Sequence, residues 1–159
     1  MRIALLALIA VLAFPDALAQ SHSHGHAAPS NASKSTPFGR IGDPAKATRT
    51  IAITMGDTMR FAPASVSIRR GETVRLVATN EGKLLHELVL GTDAALRKHA
   101  EEMRTNPAMT HHDNVGAVHV QPGATGELVW TFDRAGEFRY ACLIPGHFEA
   151  GMIGTVVVK

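Results

Sequence analysis

The stretch Phe138-Arg139-Tyr140-Ala141-Cys142-Leu143-Ile144-Pro145-Gly146-His147-Phe148-Glu149-Ala150-Gly151-Met152-Ile153-Gly154-Thr155-Val156-Val157-Val158 closes the chain but for one lysine. Phe138 to Cys142 and Thr155 to Val158 are rich in aromatic and β-branched residues and read as strands. Between them lies a loop punctuated by Pro145-Gly146 and Gly151. Cys142, His147 and Met152 all fall within this connection, with four residues between each neighbouring pair. The pattern is that of an all-β chain whose chemistry is gathered in one strand-to-strand loop.

Outward from this stretch the same rhythm of strand and turn continues. Glu127 to Phe132 and Val115 to Val120 precede it, separated by Pro122-Gly123, and Ala135-Gly136 marks the next turn. Leu84 to Leu90 is a further strand and contains His86. Val74, Leu76 and Ala78 alternate with Thr73, Arg75, Val77 and Thr79, as in a half-buried strand. Asn80-Glu81-Gly82 and Gly71-Glu72 bound it. Val66 and Ile68 form a short run, and Thr50-Ile51-Ala52-Ile53-Thr54 alternates again. About seven or eight short strands at such spacing predict a Greek-key β-sandwich or barrel. One segment breaks the pattern. Asp93 to Met103 carries Ala94, Ala95, Leu96, Ala100 and Met103, with Thr92 as N-cap, and predicts a short inserted helix that ends before Asn106-Pro107.

With 159 residues the chain has room for one domain. A net charge of +2 and the absence of any Lys/Arg run give no field to hold nucleic acid. The N-terminus reads as a leader over residues 1–19: Arg2, then an apolar run from Ile3 to Phe14, then Ala17-Leu18-Ala19 as a small-x-small cleavage site. The run is too short for a permanent membrane span, and no cysteine stands at the cleavage site to carry a lipid anchor. A periplasmic, unanchored, monomeric protein is therefore expected. Residues 20–47, rich in Ser, His, Ala, Gly and Pro, read as a flexible His-rich tail. Residues 48–159 read as the folded domain.

The single cysteine excludes an internal disulfide. In an oxidising compartment a lone thiol is exposed to oxidation unless it is buried or ligated. A thiolate, imidazoles and a thioether together are the donor set of a blue-copper centre, in which two His and one Cys surround the metal and a weak Met is axial. Cys142, His147 and Met152 supply three donors, and His86 supplies the second imidazole from a strand. Structural zinc fits poorly, because zinc rarely takes a thioether.

On the segments Phe61-Ala62-Pro63, Gly71-Glu72-Thr73-Val74, Thr79-Asn80-Glu81-Gly82, His86-Glu87, Phe132-Asp133-Arg134-Ala135-Gly136 and the loop from Cys142 to Met152, taken in this order, the chain resembles the cupredoxins, the type 1 copper proteins related to plastocyanin. The resemblance implies a Greek-key barrel with copper at one pole, His86, Cys142 and His147 as strong ligands and Met152 as the axial one. The residue before His86 is Leu85 and not the glycine that supplies a second axial contact in azurin, so four ligands are expected and not five. The dinuclear copper site of oxidase subunits needs two cysteines in the loop, and only Cys142 is present.

Further donors lie elsewhere. If cleavage follows Ala19, His22 is third from a free amine and suits square-planar Cu(II), with His24 and His26 at alternate positions beyond it. Met55 and Met59 flank a turn, and Met109, His111 and His112 share a Pro-containing loop. These are candidate additional copper ligands, while Met55 and Met59 also fit core or lid positions. The donor surplus, the export signal and a similarity to small exported cupredoxins of bacterial copper resistance together predict a protein that handles excess copper by binding, and by oxidising Cu(I). The alternative is a one-electron carrier between periplasmic redox proteins, docking near His147 through Leu143, Ile144, Pro145 and Phe148. No catalytic residue is expected beyond the copper ligands.

Overall fold

The computed structural model describes residues 35–106 and 115–159. The expected leader and tail residues 1–34 lie outside the described residues. In chain order the elements are β1 (Arg40–Ile41), a 3-10 turn (Pro44–Lys46), β2 (Arg49–Gly56), β3 (Arg60–Ala62), β4 (Ser65–Ile68), β5 (Glu72–Asn80), β6 (His86–Gly91), α1 (Asp93–Thr105), β7 (Ala117–Val120), β8 (Thr125–Phe132), β9 (Gly136–Ala141) and β10 (Ile153–Val158). They form two five-stranded sheets, in the orders β1-β8-β5-β2-β3 and β4-β10-β9-β6-β7. The expected strands and the inserted helix are all present. None of the helices described is long and apolar enough to cross a membrane.

Alternation decides which side chains enter the sandwich. In β5, Val74, Leu76, Ala78 and Asn80 are buried, while Arg75, Val77 and Thr79 are only half-buried. Trp130 and Phe132 of β8, in the same sheet, and Phe138 and Tyr140 of β9, in the other, complete the same core. β6 departs from the rule and is buried along its whole length. Its inner residues Leu88 and Leu90 join the main core. Val89, on the outer side, meets Leu96 and Ala100 of α1 together with Ala141 and Leu143. The helix therefore roofs one sheet and gives β6 two dry faces.

Capping and charge fix the helix in place. Thr92 Oγ1 accepts from the Ala95 N–H at 3.2 Å, so the expected N-cap is the actual one. Asp93 pairs with Arg97 at 2.7 Å and with Arg139 of β9 at 3.5 Å, which ties the first turn to the sheet beneath it. The Arg97 guanidinium holds the Asp93 carboxyl below the usual carboxylate range.

Residues ahead of Thr48 also pack on the sandwich. Phe38 is buried and stacks on Trp130 at 5.2 Å between ring centroids. The Trp130 indole N–H donates to the Phe38 carbonyl at 3.2 Å, and β1 pairs with β8. Gly39 makes this contact possible: its φ is +126°, and a Cβ there would lie 2.2 Å from the Thr131 carbonyl oxygen. One aromatic residue within a polar, Pro- and Gly-containing segment gives no periodicity, so the composition hides an arm that completes the core.

Phe38→Ala should lower the stability of the folded domain by about 3 kcal/mol, the usual cost of emptying a buried aromatic site. Pro37→Ala, at an exposed neighbour, should stay within about 0.5 kcal/mol of the parent. Urea denaturation of both variants checks the pair.

Candidate metal centre

Register places the donors. β6 and β9 pair antiparallel with Val89 opposite Ala141. His86 therefore points inward with Leu88 and Leu90, and Cys142 points inward with Phe138 and Tyr140. β9 and β10 pair with Ala141 opposite Ile153, and the Cys142 N–H donates to the Met152 carbonyl at 3.1 Å. The loop between them is held by its own backbone: His147 N–H to Ile144 O at 2.9 Å, and Met152 N–H to His147 O at 3.0 Å. From outside, Arg60 Nη1 donates to the Ala150 carbonyl at 2.7 Å.

His86, Cys142 and His147 come together in the structure. Each offers one ligand atom, and these atoms lie within 4.8 Å of one another. Cys142 Sγ is 3.3 Å from His147 Nδ1. The two imidazole rings are 4.9 Å apart at 53°. His86, Cys142 and Met152 are fully buried, and His147 is half-buried. Met152 lies in the same core cluster as Cys142. Met55 is buried in that core, and Met59 packs against it from a turn in which its φ is +57°; both occupy the packing positions that the sequence left open to them. His22, His24, His26, Met109, His111 and His112 lie outside the described residues.

The centre has the electrostatics of a soft cation site. Burial pushes the Cys142 thiol up to about 12. Burial, and then the nearby His86, lowers the pKa of His147, which keeps its imidazole neutral. His86 Nδ1 is buried and makes no hydrogen bond. A buried nitrogen acceptor without a donor costs free energy. A cation that takes nitrogen and sulfur relieves that cost, and copper matches this donor set.

Around the donors stand residues that the sequence analysis did not assign to the site. Glu87, adjacent to His86 but on the outer face, is fully buried. Its Oε1 accepts from the Leu143 N–H at 2.7 Å, and its Oε2 lies 2.8 Å from His119 Nε2. It thus joins the His86 strand to the residue after Cys142. The signal for it was a carboxylate inside the apolar run Leu85 to Leu90, since a buried charge requires partners. Asn80 Nδ2 donates to the Leu84 and Val120 carbonyls at 2.7 and 2.9 Å, bracing the approach to His86. The expected docking patch is only partly exposed. Leu143 is buried under α1, and Phe148 packs into the same outer cluster beneath Arg97, leaving Pro145 exposed beside half-buried Ile144. Leu84 and Leu85, just before His86, supply exposed apolar surface instead.

The comparisons agree with this geometry. The model of the copper-binding proteins of the plastocyanin/azurin family matches residues 47–159. The chain is 55% identical to the copper-resistant cuproprotein CopI of Rubrivivax gelatinosus, over 100% of this chain and 97% of that protein. It is 37% identical to the CopI of Pseudomonas aeruginosa, covering 77% of this chain and 82% of the other. Among solved structures, the reduced auracyanin of Roseiflexus castenholzii superimposes with a TM-score of 0.61 at 22% identity, covering 69% of this chain and 96% of its own.

Two outcomes follow from the buried groups. Glu87→Ala should cost about 3 kcal/mol by leaving the buried Leu143 N–H without its acceptor, and Glu87→Gln, which keeps an acceptor for Leu143, about 1 kcal/mol; chemical denaturation of the metal-free protein reads both. The Cys142 thiol titrates near 9.0 when unfolded and at about 12 when folded. Its contribution is present below the lower value and is lost as pH rises towards the upper one. Metal-free parent should therefore lose more stability between these pH values than Cys142→Ser, measured by denaturation along a pH series.

Proposed function

Because this chain belongs to the plastocyanin/azurin family of copper-binding proteins, we propose that it is an exported protein of copper tolerance that would hold copper through His86, Cys142 and His147, with the Met152 thioether as a further, weaker donor. The full-length likeness to a copper-resistant cuproprotein carries the reading. The convergence of two imidazoles and a buried thiol, with a bare His86 nitrogen among them, supports the ligand set. The leader pattern over residues 1–19 supports export to the periplasm.

Copper supplies a one-electron couple when bound. The chain's own residues do the rest. Neutral His147 presents a lone pair without first losing a proton, and the His86 Nδ1 stands beside it without a hydrogen bond. Cys142 gives up its proton on ligation, so uptake releases acid. The apolar core around Cys142 and Met152 excludes water from the sulfur atoms and protects them from oxidation. In the copper-handling reading incoming Cu(I) would be the substrate, and the copper that His86, Cys142, His147 and Met152 would hold would supply the one-electron acceptor for its conversion to Cu(II). A redox partner must then re-oxidise the centre. The exposed Leu84, Leu85 and Pro145 favour a second reading on the same site, an electron carrier that docks at this pole.

Cys142→Ser should abolish the intense visible band of the copper-loaded protein, and Met152→Leu should keep the band and shift the potential. In a copper-sensitive bacterial host the parent chain should restore growth on copper and Cys142→Ser should not. Restoration by Cys142→Ser would overturn the copper-tolerance role of this centre, and growth unaffected by the parent would leave the carrier reading.

A further inference from the structure

Asp57 stands in the turn between β2 and β3, far from the donors in sequence. Its Oδ1 lies 3.3 Å from His86 Nε2, on the opposite side of the ring from the bare Nδ1. Its carboxylate also accepts from the Lys83 N–H at 2.8 Å and the Leu84 N–H at 3.2 Å, in the loop that leads into His86. The loop is shaped to receive it. A Cβ at residue 82 would lie 2.1 Å from Asp57 Oδ1, so only glycine lets the carboxylate approach this closely. The Gly82 N–H in turn donates to Asn80 Oδ1 at 2.9 Å, which fixes the cradle from below.

We propose that Asp57 is a positioning residue of the copper centre, which holds the His86 imidazole as the Nε2–H tautomer and biases the centre towards Cu(II). The proposal rests on the reading of His86 as a ligand through Nδ1. An imidazole has one proton to place when neutral. A carboxylate facing Nε2 draws the proton there and leaves the Nδ1 lone pair towards Cys142 and His147. A carboxylate behind a ligating imidazole also raises its basicity and fixes its plane. The negative charge acts through space as well, and it stabilises the doubly charged ion more than the singly charged one. The Lys83 and Leu84 N–H groups that face the carboxylate are donors suited to its ionised form. At 38% exposure of its side chain, solvent damps the field of this charge but not its hold on the ring. A centre biased to Cu(II) takes electrons from its surroundings less avidly, so Asp57 would set how strongly the centre draws an electron from Cu(I).

The test compares Asp57→Asn and Asp57→Ala with the parent. The amide keeps acceptors for the Lys83 and Leu84 N–H groups but removes the charge. Asp57→Asn should lower Cu(II) affinity by about ten-fold, the low end for such partners, with a smaller change for Cu(I), and should shift the reduction potential upward. Asp57→Ala should move both further. In the metal-free proteins, nitrogen NMR should find His86 as the Nε2–H tautomer in the parent and a mixture in Asp57→Ala. Support for the loop alone would lower the melting temperature of Asp57→Ala and leave the potential of Asp57→Asn at the parent value; that result overturns the proposal. So does an unchanged tautomer in Asp57→Ala. His86→Ala separates the underlying reading: if it retains the visible band and Cu(II) affinity, His86 is not a ligand and both fall, whereas loss of the band with unchanged Asp57 variants removes the Asp57 proposal alone.

Discussion

The pairing of β6 with β9 is the constraint on which the centre depends. With Val89 opposite Ala141, His86 and Cys142 share the inner face of one sheet. A slip of one residue would send either of them to the face under α1. That register is itself fixed by apolar residues: Leu88, Leu90, Phe138 and Tyr140 cannot leave the core without exposing it. The donors are thus placed by side chains that never touch metal. The loop then needs only to return His147 and Met152 to the same pole, which the Cys142-to-Met152 backbone bond accomplishes.

A centre built this way is dry and held from several directions. Glu87 anchors the backbone after Cys142, Arg60 anchors the far end of the loop at Ala150, and Asp57 and Asn80 brace the approach to His86. All but the Asn80–Leu84 bond join segments distant in sequence, so the site is assembled only when the strands around it have come together. The fold's own bonds therefore hold the donors in their arrangement. Little reorganisation separates the two oxidation states when the donors are fixed by the fold and not by the ion.

Much of this was legible in the sequence because it is local. The alternation of Val74, Leu76 and Ala78 and the spacing of Cys142, His147 and Met152 each express a short-range rule. The helix from Asp93 announced itself through Thr92 and its own apolar residues. What escaped is what depends on long-range contact. Phe38 sits in a segment of tail-like composition, and its place on Trp130 is 92 positions away. Asp57 reads as an ordinary turn residue until the fold brings His86 to it, and His119 as a plain strand residue until Glu87 faces it. Leu143 and Phe148 read as surface near His147, and only the position of α1 turns them inward.

The strand lengths have a consequence for life in a crowded compartment. The four strands at the sheet edges, β1, β3, β4 and β7, have only 2, 3, 4 and 4 residues, while every interior strand has at least 6. A short edge offers few open backbone groups for another chain to extend. A protein with a single cysteine cannot lock itself shut with a disulfide, and a partly opened copy would expose both its thiol and its strands. Stunted margins limit how far one such copy can template the next, so protection against clumping is written into the outline of the sheets and does not wait on the metal.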